Sequence, residues 1–111
     1  LARSIEKGGA RVPVIELVQF RITSDADPAA FEHAAAAAGR VLEAMPGFVG
    51  RRLAKSADGE WLDLVEWTDR GSAEAAAQVF HTRPEAQPFC SMIDMDTARM
   101  THHEVAQKVG A

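Results

Sequence analysis

The chain has 111 residues, enough for one domain with a modest core. Its hydrophobic share of 47% and charged share of 25% are those of a globular protein, not a disordered one. The formal net charge is −4 and the only basic cluster is the doublet Arg51-Arg52, which excludes a phosphate-binding nucleic-acid surface; no apolar run approaches the roughly 20 residues a membrane helix needs.

In chain order, residues 1–11 mix charges with glycines and read as a mobile N-terminal arm; lacking an apolar core, they do not read as a secretory signal. A single domain is expected over 12–107, with 108–111 as a C-terminal tail. The stretch "VPVIELVQFRI" (12–22) is rich in β-branched and apolar residues and predicts a buried strand. In the segment that follows, Asp27 is a good helix cap and Pro28 suits the first helical position. Phe31, Ala34, Ala35, Ala38, Val41, Leu42 and Met45 recur at helical spacing until Pro46-Gly47 stops the helix. Its alanine run allows the helix to sit close on a sheet.

"FVGRRLAKS" (48–56) and "EWLDLVEWT" (60–68) predict two strands joined through Asp58-Gly59, a strong hairpin signal. "SAEAAAQVFH" (72–81) predicts a second helix capped by Ser72. "RPEAQPFCSMID" predicts a short, proline-interrupted helix, and "TARMTHHEVAQ" (97–107) a last strand. The order is β-α-β-β-α-β with an extra short helix before the final strand. This is an α+β, ferredoxin-like arrangement: a four-stranded antiparallel sheet with both long helices on one face. Cys90 is the single cysteine, so no intrachain disulfide can form, and a cytosolic protein is expected.

Alternation along the strands indicates what the uncovered face carries. Read as a two-residue turn, Asp58-Gly59 sets Arg51 opposite Glu66 and Leu53 opposite Leu64; a three-residue turn would flip the second strand. The two-residue register gathers Val49, Leu53, Leu62 and Leu64 toward the helices. It leaves Val14, Val18, Phe20, Ile22, Phe48, Trp61, Val65 and Trp67 on the open face, with Glu16, Arg52 and Asp63 among them. A face that apolar marks an interface, and two copies closing on each other would cover it.

The cadences "MPGFVGRRL", "DLVEWTDRGSAEAAAQVF", "RPEAQPFCSMID" and "ARMTHHEV" resemble those of the dimeric α/β-barrel superfamily, specifically proteins similar to the antibiotic biosynthesis monooxygenase (ABM) domain. The resemblance covers roughly residues 12–107. It implies a homodimer with a small-ligand cavity. It also implies one of several activities, among them cofactor-free oxygenation of aromatic polyketides, haem degradation and isomerisation, since fold does not settle function. Haem-degrading members carry an Asn on the first strand, a Trp on the second helix and an axial His. Here Phe20 and Ala76 stand at the corresponding places and no clear axial His is found, so haem degradation is not expected. The chain also lacks the Tyr and Asn associated with polyketide oxygenases, but keeps Trp61, Trp67 and Arg52.

The adjacent pair His102-His103 completes the candidates. Neighbours on a strand point to opposite faces, so the two cannot chelate one metal; no metal is expected. Met100, His102 and Glu104 share the barrel side, and His103 faces the other way. His102 is the candidate general acid/base because its unperturbed pKa lies near neutrality. Asp63, two strand spacings or about 10 Å away and so too far for a direct hydrogen bond, is the second catalytic candidate: it or Glu16 could orient a ligand or act as a second base. Glu16, Phe20, Arg52, Trp61, Trp67 and Met100 are the candidate ligand contacts. The plainer alternative is that His102 is a buried strand residue bonded to a carboxylate. Arg51–Glu66 reads as a cross-strand ion pair. No phosphate loop or dinucleotide fingerprint is present, so no cofactor is expected. The sequence thus supports a cofactor-independent monooxygenase or isomerase acting on a small apolar or aromatic substrate, or else a non-catalytic small-ligand-binding or stress-related dimer.

Overall fold

The element order in the computed structural model, which describes residues 11–110, is β1 (Val14–Ile22), α1 (Pro28–Glu43), β2 (Phe48–Lys55), β3 (Trp61–Trp67), α2 (Arg70–Phe80), a 3₁₀ turn (Pro84–Ala86), α3 (Gln87–Ser91) and β4 (Ile93–Glu104). The sheet is antiparallel with strand order β2-β3-β1-β4, the ferredoxin-like arrangement. The expected arm lies outside the described residues except for Arg11, which is exposed and pairs with Asp69 at 3.4 Å. Among the described residues no helix is long and apolar enough to cross a membrane.

Local chemistry explains the boundaries. Asp27 accepts the backbone N–H of Ala30 at 3.1 Å and Pro28 opens α1, as expected. After α1 the chain turns at Gly47, whose φ of +84° and closeness to the Ser72 side chain exclude a larger residue. The cap of α2 is Asp69 and not Ser72: the Asp69 carboxylate accepts the Ser72 N–H at 2.7 Å, so the helix starts earlier than expected. Strand β4 also starts earlier, at Ile93. Its register with β1 jumps between Gln19↔Arg99 and Arg21↔Asp94, leaving Met95–Ala98 bulged opposite the single residue Phe20. The Thr97 hydroxyl pins the bulge by donating to the Asp94 carbonyl (2.7 Å) and accepting from the Arg21 N–H (2.8 Å).

The hairpin corrects the sequence reading. The turn is Ala57-Asp58-Gly59, closed by Ser56 N–H to the Glu60 carbonyl at 2.8 Å, with Gly59 at φ +94°. Side chains reinforce it: the Ser56 hydroxyl bonds the Asp58 carboxylate, and Arg21 reaches over to the Asp58 carbonyl and carboxylate. The pairs are therefore Leu53↔Asp63, Arg52↔Leu64 and Arg51↔Val65. Strand β2 is flipped, and Arg51 points toward the helices.

The two faces are also exchanged. Phe20, Trp61, Val65 and Trp67 lie beneath the helices, fully or nearly fully buried. Phe31 of α1 is the hub: its ring lies 5.8 Å from Phe20, 4.8 Å from Trp61 and 5.2 Å from Phe89 of α3. The reason is volume. The buried residues of α1 are Phe31, Leu42 and three alanines, and those of α2 are two alanines. Helices this small leave a layer that only large sheet side chains can fill. The open face instead carries Ile15, Leu17, Leu62 and Leu64 at its centre, with Arg52, Thr101 and His103 around them.

Candidate functional site

A cavity of about 380 Å³ lies between the sheet and α2 and α3. Strands β1 and β3 supply its floor through Glu16, Val18, Phe20, Asp63, Val65 and Trp67. Phe80 of α2, His81 just after it, and Phe89 and Cys90 of α3 form the wall, and Met95 and Met100 of β4 form an exposed rim. Its size is at the small end of ligand pockets, and its lining is mainly apolar with a few polar groups. A larger, more open groove of about 820 Å³ runs between α1 and α2. Its charged residues Arg40, Arg83 and Glu85 are exposed, and Asp69 is engaged as the α2 cap. No buried ionisable group faces that groove, so the smaller cavity is the candidate site.

Two acids are buried on the cavity floor, Glu16 and Asp63. Alternation and register put them there: both point to the helix side, on neighbouring strands, with Val18 opposite Asp63 and Val65 opposite Glu16. Their partners differ. Asp63 is held by Arg51 in a two-pronged ion pair, Nε and Nη2 each 2.8 Å from a carboxylate oxygen. Glu16 accepts from His102 Nε2, which lies directly across on β4 at 3.2 Å. Burial pushes the Glu16 carboxyl above its ordinary 4.5, and the negative Asp63 adds to this. The His102 hydrogen bond and charge and the Trp67 indole act in the opposite direction without cancelling it. The Trp67 Nε1 itself is buried and makes no hydrogen bond of proper geometry, so its influence on Glu16 is one of proximity. Burial likewise pushes the Cys90 thiol up, away from the reactive thiolate.

Of the residues singled out by sequence, Glu16, Phe20, Asp63, Trp67 and Met100 line this cavity. His102 meets it through Glu16. Trp61 is core, packed on Phe31 with the Lys55 ammonium 5.2 Å from its ring centre. Arg52 lies on the open face beside Leu64, away from the cavity, because of the hairpin register. Met100, His102 and Glu104 do share a side, but it is the helix side of the sheet. His103 is on the open face, bonded to Thr101 at 2.8 Å. The carboxylate that meets His102 is that of Glu16, its direct neighbour on β1. Arg51 does not meet Glu66, which instead pairs with Lys108 at 3.2 Å. His81, bonded to the Ala77 carbonyl, and Cys90 had no sequence signal tying them to the cavity. Among the described residues no three His, Cys, Asp or Glu side chains converge as a metal-ligand set.

Comparison with known proteins places this geometry in context. A family model described as antibiotic biosynthesis monooxygenase matches residues 13–89. A mutant of SnoaB, a cofactor-independent oxygenase from Streptomyces nogalater, is 21% identical, with a TM-score of 0.72 over 89% of this chain and 98% of that one. A heme-degrading protein from Mycobacterium tuberculosis is 21% identical, with a TM-score of 0.64 over 91% and 99%. A dimeric ferredoxin-like protein of unknown function from Jannaschia sp. is 18% identical, with a TM-score of 0.64 over 84% and 99%. At these identities the likeness is one of fold. No curated protein sequence gave a significant match.

Proposed function

The chain belongs to the antibiotic biosynthesis monooxygenase family, and from that premise we propose that its cavity binds a small, flat, largely apolar molecule and removes a proton from it for cofactor-independent oxygenation. The observation that carries the reading is Glu16: a buried carboxyl on the cavity floor, bonded to a histidine and not to a permanent cation. Its raised pKa makes it a stronger base than an exposed glutamate, and His102 Nε2 at 3.2 Å holds the carboxyl in place. The free Trp67 N–H beside it offers a hydrogen bond to a ligand oxygen. Two acids and no lysine or arginine line the cavity, which suits a neutral ligand over an anionic one.

In such a reaction Glu16 accepts the proton of a hydroxyl or an acidic CH₂ group. The resulting anion is electron-rich enough to reduce dioxygen itself. For an acidic methylene the balance is R–CH₂–R′ + O₂ → R–CO–R′ + H₂O, with the substrate carbon supplying all four electrons that reduce the dioxygen. Returning the proton to a neighbouring carbon would give isomerisation on the same residues. Oxygen uptake with an anthrone or a quinol tests the reading, comparing the native protein with Glu16→Gln and His102→Ala. A native rate above buffer that falls at least about 100-fold in Glu16→Gln is expected for a lost general base. A rate equal in all three sinks the oxygenase reading for those substrates. The second reading, a non-catalytic small-ligand-binding or stress-related dimer, draws on the fact that both acids have partners within the chain. It predicts quenching of tryptophan fluorescence by the same compounds with no turnover.

We further infer a homodimer closed through Ile15, Leu17, Leu62 and Leu64 on the open face, since exposed apolar sheet faces mark interfaces; the Jannaschia neighbour is described as dimeric. Cys90 as an unpaired thiol fits the cytosol.

A further inference from the structure

Arg51 reaches three elements at once. Its Nε and Nη2 hold both oxygens of Asp63 on β3 at 2.8 Å each. Its Nη1 donates to the Ala35 carbonyl in the middle of α1 at 2.8 Å. Its guanidinium lies 5.2 Å from the centre of the Phe89 ring of α3. The side chain is 11% exposed and that of Asp63 is 9% exposed, so the pair is shut away from solvent. Helix α1 is shaped to receive it. Gly39 sits inside α1, where glycine weakens a helix, yet its φ is not positive and backbone freedom does not explain it. A β-carbon at 39 would come within 3.1 Å of Arg51 Nη1. The glycine leaves room for the guanidinium to reach the carbonyl one turn earlier.

We propose that Arg51 is a positioning residue of the cavity: by occupying both oxygens of Asp63 it withdraws that carboxylate from proton exchange and leaves Glu16 to exchange a proton with the ligand, an inference that rests on the function proposed above. Without it, two buried carboxyls would share one cavity floor and titrate as a coupled pair. The groups facing Glu16 are Asp63 and Trp67 from β3 and His102 from β4, while His81, which caps the end of α2, and Cys90 of α3 lie on the cavity wall. Asp63 faces Arg51 of β2.

The test is carbon-detected NMR titration of the Glu16 carboxyl in the full chain, without ligand. In Arg51→Met a cation is removed and the last proton leaves the carboxyl pair at higher pH, by about one to three pH units. In Asp63→Asn the near-isosteric amide leaves Arg51 uncompensated, and the Glu16 titration moves to lower pH. Arg51→Met/Asp63→Leu removes both charges and returns the titration toward that of the native chain. A purely structural clamp would lower the melting temperature without this pattern of opposite signs. An unmoved titration in either single variant, or the same direction in both, overturns the proposal; should Arg51→Met fail to fold, Arg51→Gln, which keeps a donor to Asp63 without the charge, must show the upward shift. Oxygen uptake is read separately: a Glu16→Gln rate equal to the native rate sinks the proposed reaction while leaving the titrations to decide the role of Arg51.

Discussion

Truncating Phe31 to alanine is expected to be the costliest single change in the core. The side chain is fully buried and lies in contact with three other aromatic rings from β1, β3 and α3. Removing a buried Phe costs about 3–5 kcal/mol in transfer and cavity terms. Oriented aromatic pairs add about 0.5–1.5 kcal/mol each, and three are lost here, so the upper end of that range, about 4–5 kcal/mol, applies. At about 4–8 °C per kcal/mol for a domain near this size, the melting temperature should fall by roughly 15–40 °C. Against a typical total of about 5–15 kcal/mol this leaves a marginal fold. Phe48→Ala is the control: that ring is half-buried and meets Trp67 at 5.9 Å, and about 1–2 kcal/mol is expected from partial burial. Urea denaturation followed by tryptophan fluorescence and far-UV circular dichroism, at one protein concentration, gives both values. Equal losses in the two variants would refute the view that Phe31 joins α1 to the sheet and α3.

Leu64→Glu places a charge at the centre of the open face, and sedimentation at micromolar concentration should shift from the mass of two chains to that of one; an unchanged dimer would show that the interface lies elsewhere. Glu16→Gln should raise the melting temperature at neutral pH. The folded-state pKa of Glu16 is raised, so the stability this carboxyl contributes is present below its ordinary 4.5 and lost as pH rises through the folded value. The advantage of the variant should therefore vanish below about pH 4.5 and grow above it; an advantage that grows toward acid would contradict the burial of Glu16.

Element order is legible because periodicity, caps and stop signals act locally: Asp27-Pro28 and Pro46-Gly47 do their work within a turn of the chain. Which side of the sheet meets the helices is not, because alternation sorts residues into two sets without saying which is covered. The more apolar set invites reading as an interface. The alanine content of α1 and α2 points the other way, since small helices require bulky sheet residues beneath them. The hairpin turns on one residue: Asp-Gly fits turns of two or three residues, and the choice rests on Ser56 and Arg21 meeting Asp58 and on Arg51 meeting Asp63. These are contacts that no local pattern encodes. That Met100 shares a side with His102, and Glu16 with Phe20, is legible because it follows from parity within one strand. The pairing of His102 with Glu16 over Asp63 needs the register of two strands at once.

The bulge at Met95–Ala98 divides β4 into two lengths that keep register with β1 independently. The length toward Glu104 holds His102 against Glu16, and the length toward Ile93 is fixed by Arg21↔Asp94 and by Thr97. Apart from Thr97, whose hydroxyl accepts from the Arg21 N–H, residues in the looped segment have no partners on β1 to keep in step. A residue added or deleted there shifts neither flank, whereas the same change anywhere else in the strand would rotate every later side chain to the opposite face. Because Met95 and Ala98 also border the cavity, the entrance is the part of this molecule where length and composition can drift, or be engineered, while the acid and its histidine stay in place.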